Sequence, residues 1–158
     1  LGNIMEEKII WTNGCFDILH VGHIELFKYA KSLGTKLYVG IDSDEKVKID
    51  KGNDRPFNKL SDRIKVLESI KYIDKVISFD STEGLESLVE KYKPNVLIVG
   101  SDWKNKTVVG EEYAQHVRFF DRIDGYSTTK ILQRNHSLSV GTTDVNISAD
   151  EWVDEDED

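Results

Sequence analysis

The stretch Lys8-Ile9-Ile10-Trp11-Thr12-Asn13-Gly14-Cys15-Phe16-Asp17-Ile18-Leu19-His20-Val21-Gly22-His23 decides how this chain is to be read. Residues 8–12 form a short apolar run that stops at Asn13-Gly14, the pattern of a buried strand ended by a turn. From His20 to Leu33 the apolar positions Ile24, Phe27, Ala30 and Leu33 recur at helical spacing, and Gly34 is the C-terminal stop. A strand, a turn and a helix thus follow one another directly. The same alternation continues outward. Leu37-Tyr38-Val39-Gly40-Ile41 reads as a second strand, and residues 42–60, polar with Gly52 and Pro56, as a long loop of the kind that is more often functional than idle. Ser61 is a good N-cap for a helix to about Ile70, with Ile64, Leu67 and Ile70 on one face. Lys75–Phe79 is a third strand, and Thr82 to Tyr92 a third helix closed by Pro94. Val96–Gly100 is the most apolar run and so the expected central strand. Val117–Phe120 is a short final strand, and Ser127 caps a last helix through about Arg134. Strands alternating with helices predict an α/β fold, a single Rossmann-like domain with a doubly wound parallel sheet covered on both faces.

Composition bounds the function. The length, 158 residues, suits one domain, and no apolar run approaches the ~18 residues of a membrane span. Leu1-Gly2-Asn3-Ile4 precede Met5 and read as an expression scar. The single cysteine, Cys15, makes neither an internal disulfide nor a zinc site, which leads us to expect a reducing, cytoplasmic home. The net charge of −8 resides entirely in residues 135–158, which hold Asp144, Asp150, Glu151, Asp154, Glu155, Asp156, Glu157 and Asp158 and no Lys or Arg. That tail reads as disordered, set apart from a domain over residues 5–134. A neutral body without a basic stripe argues against nucleic acid as partner.

In a doubly wound sheet, ligands bind beyond the carboxyl ends of the strands. Three polar clusters fall there: Asn13 to His23, Ser101 to Lys106, and Arg122 to Lys130. In the first, Gly14 lets the backbone turn tightly and come close to a ligand. His20 and His23 share one face where the helix begins, and Gly22 between them carries no side chain to hold a phosphate away. A helix N-terminus offers free N–H groups and partial positive charge, so two imidazoles there make an anion site able to bind a polyphosphate. In the third cluster, Ser127, Thr128 and Thr129 open a helix, and their hydroxyls and N–H groups suit β- and γ-phosphates. No GxGxxG follows the first strand, which disfavours a nicotinamide oxidoreductase.

GCFD at residues 14–17 followed by HVGH at residues 20–23 resembles the GxFD and HxGH motifs of the cytidylyltransferase-like nucleotidyltransferases, and the resemblance extends through most of residues 8–134. Within that family the nearest match looks like the glycerol-3-phosphate cytidylyltransferases, with the adenylyltransferase domain of ADP-heptose synthesis second. The resemblance implies a nucleoside triphosphate and a small phosphorylated acceptor as substrates, Mg²⁺ carried on the nucleotide phosphates rather than by a protein metal site, and a homodimer. His20 and His23 then contact the triphosphate. Asn13, Gly14, Cys15, Phe16 and Gly22 line the nucleotide, the Gly14–Phe16 segment through its backbone. Lys46, Lys48 and Lys51 stand where the family uses loop lysines to grip phosphate, Lys51 being the best positional match. Arg55 in Asp54-Arg55-Pro56 resembles the RP pair of the heptose enzymes. Arg63 matches an arginine set against the acceptor phosphate. Asp17 belongs with the acceptor side, either organising the loop or positioning the metal.

Gly100-Ser101-Asp102-Trp103 is similar to the GDDW of the glycerol-3-phosphate enzymes, with Ser101 in place of the first acid. Trp103 packs over the acceptor or covers the sheet edge. Arg122-Ile123-Asp124-Gly125-Tyr126-Ser127-Thr128-Thr129 resembles the RTxGxSTT signature, with Ile123 and Tyr126 as departures. Tyr126 also occurs in the heptose enzymes. Arg122 and Asp102-Trp103 favour CTP with glycerol 3-phosphate, whereas the Asp54-Arg55-Pro56 loop and Tyr126 lean toward ATP with heptose 1-phosphate. A nucleotide-binding regulator without catalysis is the reading from another class, and the intact His20 and His23 speak against it.

Overall fold

A computed structural model describes residues 6–121. The expected site residues Arg122, Tyr126, Ser127, Thr128 and Thr129, the helix after Ser127, the acidic tail and residues 1–4 lie outside the described residues. The elements in chain order are β1 (Ile9–Gly14), α1 (Val21–Ser32), β2 (Lys36–Asp42), α2 (Asp44–Lys51), α3 (Leu60–Glu68), β3 (Lys75–Phe79), α4 (Thr82–Tyr92), β4 (Val96–Gly100) and β5 (His116–Phe120). Two short 3₁₀ turns, Ser101–Trp103 and Glu111–Tyr113, lie between β4 and β5. The strands form one sheet in the order β3-β2-β1-β4-β5, and every pairing is parallel.

Successive strand residues face opposite sides, and both sides are covered. On one, Ile10, Leu37, Val39 and Ile98 pack with Phe27 and Ala30 of α1 and Leu67 of α3. On the other, Trp11 and Leu97 pack with Leu85 and Val89 of α4 and with Phe79. Adjacent residues such as Ile10 and Trp11 are therefore both fully buried, each large side chain stabilising by about 1.5–3 kcal/mol. This is why β1 and β4 read as continuous apolar runs.

Four sequence expectations are revised. Ser61, expected as an N-cap, lies inside α3, whose N-cap is Lys59 with no side-chain cap bond. The central strand is β1 rather than β4; β4 is flanked by β1 and β5, and burial on both faces is enough to make it apolar. β1 also runs on through Asn13 and Gly14, which pair in register with Gly40 and Ile41 of β2. Finally, residues 42–60 are not a continuous loop. Ser43 caps α2 by accepting from the Lys46 N–H, Asp44 and Glu45 occupy its first turn, and Lys48 and Lys51 its last, each charge set opposite in sign to the helix end it meets. Val47 is the one buried residue of α2, too weak a periodic signal to show in the sequence.

Candidate active site

From β1 the chain winds to β2 and β3 on one side, then returns to place β4 and β5 on the other. The connections diverge between β1 and β4, and a crevice opens at their carboxyl ends. Both ends are glycines, Gly14 and Gly100, and a cavity of about 370 Å³ lies beside them. Asn13 and Gly14 line it from β1, Lys51 from α2, and Gly100, Asp102 and Trp103 from the end of β4. These sequence candidates, separated along the chain, thus share one wall. Trp103 lines the cavity and packs against the apolar cluster of the α4 face.

Asp42 at the end of β2, with Lys46 and Asp50 of α2, completes the wall, and sequence reading passed over these carboxylates. The Lys46 ammonium lies 2.6 Å from Asp50 and 3.8 Å from Asp42. The available signal was positional: Asp42 ends a strand on the same sheet edge as Asn13 and Ser101. Lys51, expected in a loop, is the last residue of α2.

After β1 the backbone bends sharply. Phe16 has φ 49°, a left-handed conformation that costs a non-glycine residue about 1–2 kcal/mol. The bend drives its ring into the core against Phe27, 5.3 Å between centroids, and against the edge of His23 at 5.7 Å. Cys15 is also fully buried, and its carbonyl accepts from Arg63. Neither Cys15 nor Phe16, both expected to line the nucleotide, is among the residues that line the cavity.

His20 is the N-cap of α1. Its Nδ1 accepts from the Gly22 N–H at 3.1 Å, while the Nδ1 of His23 accepts from the His20 N–H at 3.2 Å, a reciprocal capping box built from two histidines. An accepting Nδ1 carries no proton, so in each neutral ring the proton resides on Nε2, which is then a donor. The ring centroids are 3.9 Å apart. His23 is buried rather than at the surface, with only 1% of its area exposed.

Two charged candidates are turned inward. Asp17, 3% exposed, accepts from Arg55 Nε at 3.2 Å, the Phe57 N–H at 2.7 Å and the Asn58 N–H at 2.8 Å. Of its two expected roles, the geometry is that of a loop organiser. Asp17→Asn keeps the shape but loses charge and acceptor capacity beside a buried arginine; we expect it to lower unfolding free energy by about 1–3 kcal/mol, measurable by urea denaturation. An unchanged midpoint would show that the 55–58 loop does not depend on this carboxylate. Arg63, expected against the acceptor phosphate, is 1% exposed and donates to the carbonyls of Asn58, Cys15 and Asp42 and to the Asp44 carboxylate. Its guanidinium joins the β1–α1 turn, the end of β2, α2 and the loop before α3, and this packing explains an arginine at that position.

A doubly wound sheet whose switch point carries paired histidines on a helix N-terminus defines a nucleotide-binding protein of the nucleotidyltransferase class. Residues 11–134 match the Cytidylyltransferase-like family, and the chain belongs to it. Among curated proteins it is 44% identical over 133 residues to the Bifunctional protein HldE of Helicobacter hepaticus, covering 84% of this chain and 27% of that protein. It is 45% identical over 131 residues to the Bifunctional protein HldE of Nitratiruptor sp., covering 83% and 28%. The chain therefore spans little more than a quarter of the relatives it matches. Among solved structures, a lipopolysaccharide core biosynthesis protein from Thermoplasma volcanium superposes with a TM-score of 0.62 at 24% identity, covering 75% of this chain and 99% of that one, a likeness of fold. Among the described residues no helix is long and apolar enough to cross a membrane.

Proposed function

We propose that this chain is an adenylyltransferase that joins the α-phosphorus of ATP to the phosphate of a heptose 1-phosphate and releases pyrophosphate. The observation that carries nucleotidyl transfer is the histidine capping box on a helix N-terminus at the switch point of the sheet. The similarity to HldE proteins supports the adenylyl reading over the expected CTP and glycerol 3-phosphate. The cavity agrees in chemistry: Asp42, Asp50 and Asp102 offer oxygen acceptors to a hydroxyl-rich sugar, and Lys51 a cation to its phosphate.

The acceptor phosphate, with a second pKa near ~6, is largely ionised at neutral pH and needs no protein base. Its oxygen forms the new bond to the α-phosphorus as the bond from that phosphorus to the bridging oxygen of pyrophosphate breaks. His20 and His23 stabilise the charge on the oxygens in flight, and the cavity aligns the two phosphates. Ser127, Thr128 and Thr129 are proposed, on the resemblance, to hold the β- and γ-phosphates. Mg²⁺ is proposed to arrive on the triphosphate, where it would neutralise phosphate charge; among the described residues no group of three or more His, Cys, Asp or Glu is placed to hold it. A homodimer is proposed on the same resemblance, and a cytoplasmic home on the single cysteine.

Titrating the protein with ATP and CTP, each with Mg²⁺, and assaying pyrophosphate release with heptose 1-phosphate and glycerol 3-phosphate tests the reading. ATP with heptose 1-phosphate is expected to give turnover. Turnover with CTP and glycerol 3-phosphate instead would reverse the choice of both substrates.

A further inference from the structure

We infer that Trp11 is a positioning residue: its indole N–H holds the Asn13 side chain so that the amide presents only donors to the cavity. This deepens the substrate reading above and rests on it for the identity of the ligand. Trp11 and Asn13 are two apart on β1 and face the same side of the sheet. Trp11 Nε1 lies 3.1 Å from Asn13 Oδ1. An indole nitrogen is a donor only, so the amide oxygen must be the atom that faces it. The Asn13 NH₂ then points away from Trp11, on a residue that lines the cavity. An unbound asparagine could offer either end; this one offers N–H groups, which suit a phosphate or sugar oxygen.

The indole is itself held in place. Trp11 has no exposed area and stacks on Tyr92 with 6.0 Å between centroids. Across the β1–β2 pairing, Gly40 stands opposite Asn13, and a Cβ there would come within 2.6 Å of the indole Cζ2 and 3.1 Å of the Asn13 Cβ. The missing side chain on β2 is what gives the indole room to reach the strand end. A purely apolar core residue would fill the same space without orienting anything.

The test is a double-mutant cycle of Trp11→Phe and Asn13→Ala, read by calorimetric binding of Mg-ATP and, separately, of heptose 1-phosphate. Thermal melts establish that each variant is folded. Trp11→Phe keeps an aromatic ring but has no N–H. It should weaken one of the two ligands about 3–10-fold, the loss of one neutral hydrogen bond. In the Asn13→Ala background Trp11→Phe should add nothing, and the ligand affected identifies which substrate meets Asn13. Unchanged affinity for both ligands, or losses that multiply in the double variant, would overturn the inference, since a merely structural tryptophan acts whether or not Asn13 is present. A second readout needs no ligand: among the indole N–H resonances of the ¹⁵N-labelled full chain, the one lost in Trp11→Phe should shift in Asn13→Ala. If wild type binds neither substrate, the proposed reaction fails while that resonance still decides the contact; a resonance indifferent to Asn13→Ala overturns it.

Discussion

An enzyme carrying His23→Ala is expected to turn over about 10²–10³-fold more slowly, the cost of losing one preorganised donor to transition-state charge. Folding is expected to suffer as well. His23 is buried, its ring meets Phe16, and its Nδ1 accepts from the His20 N–H, so the alanine variant also loses a cap contact and packing. A stability loss of about 0.5–2 kcal/mol should accompany the kinetic one. The cleaner companion is His20→Asn, since asparagine is among the best N-caps and can still accept from the Gly22 N–H while the imidazole is gone. Its turnover should fall with little change in melting temperature. Near-normal pyrophosphate release from folded His23→Ala and His20→Asn proteins would remove the histidines from the mechanism.

The largest stability effect is expected at Arg63. Replacing it by methionine removes donors to the buried carbonyls of Cys15 and Asp42 and to that of Asn58, and leaves the Asp44 carboxylate without its 2.7 Å partner. Leaving the buried Cys15 and Asp42 carbonyls without a donor costs about 1–3 kcal/mol each, a large share of the ~5–15 kcal/mol that holds a domain of this kind together. Lysine should rescue little, because a single ammonium cannot reproduce a fork that reaches four acceptors. Urea unfolding measures the loss. A stable Arg63→Met protein whose only defect is a raised KM for the sugar phosphate would return Arg63 to the acceptor site.

Arg63 also shows where sequence reading stops. Its place in the family pattern was legible at the opening of the helix after the long polar segment, but the pattern carries position and not direction. Whether a guanidinium there faces a ligand or knits the chain depends on the carbonyls of Cys15, Asp42 and Asn58 arriving around it, groups that every residue possesses. Asp17 is the same case: the motif singled it out, and only the fold shows it collecting the 55–58 loop. α2 escaped notice because eight residues with one buried side chain leave hardly any periodicity.

By itself the sequence determined the α/β alternation, the strands β3 and β4 and the helix α4 to the residue, and the strand–turn–helix that sets His20 and His23 on a helix N-terminus, because each rests on spacing along the chain. Only the tertiary structure decided that β1 is central, that Asp42, Lys46 and Asp50 share a cavity with Asn13 and Asp102, that Arg63 and Asp17 turn inward, and that Trp11 reaches Asn13 beside Gly40. Those outcomes follow from strand order and register, which bring together residues tens of positions apart and leave no periodic trace in the chain.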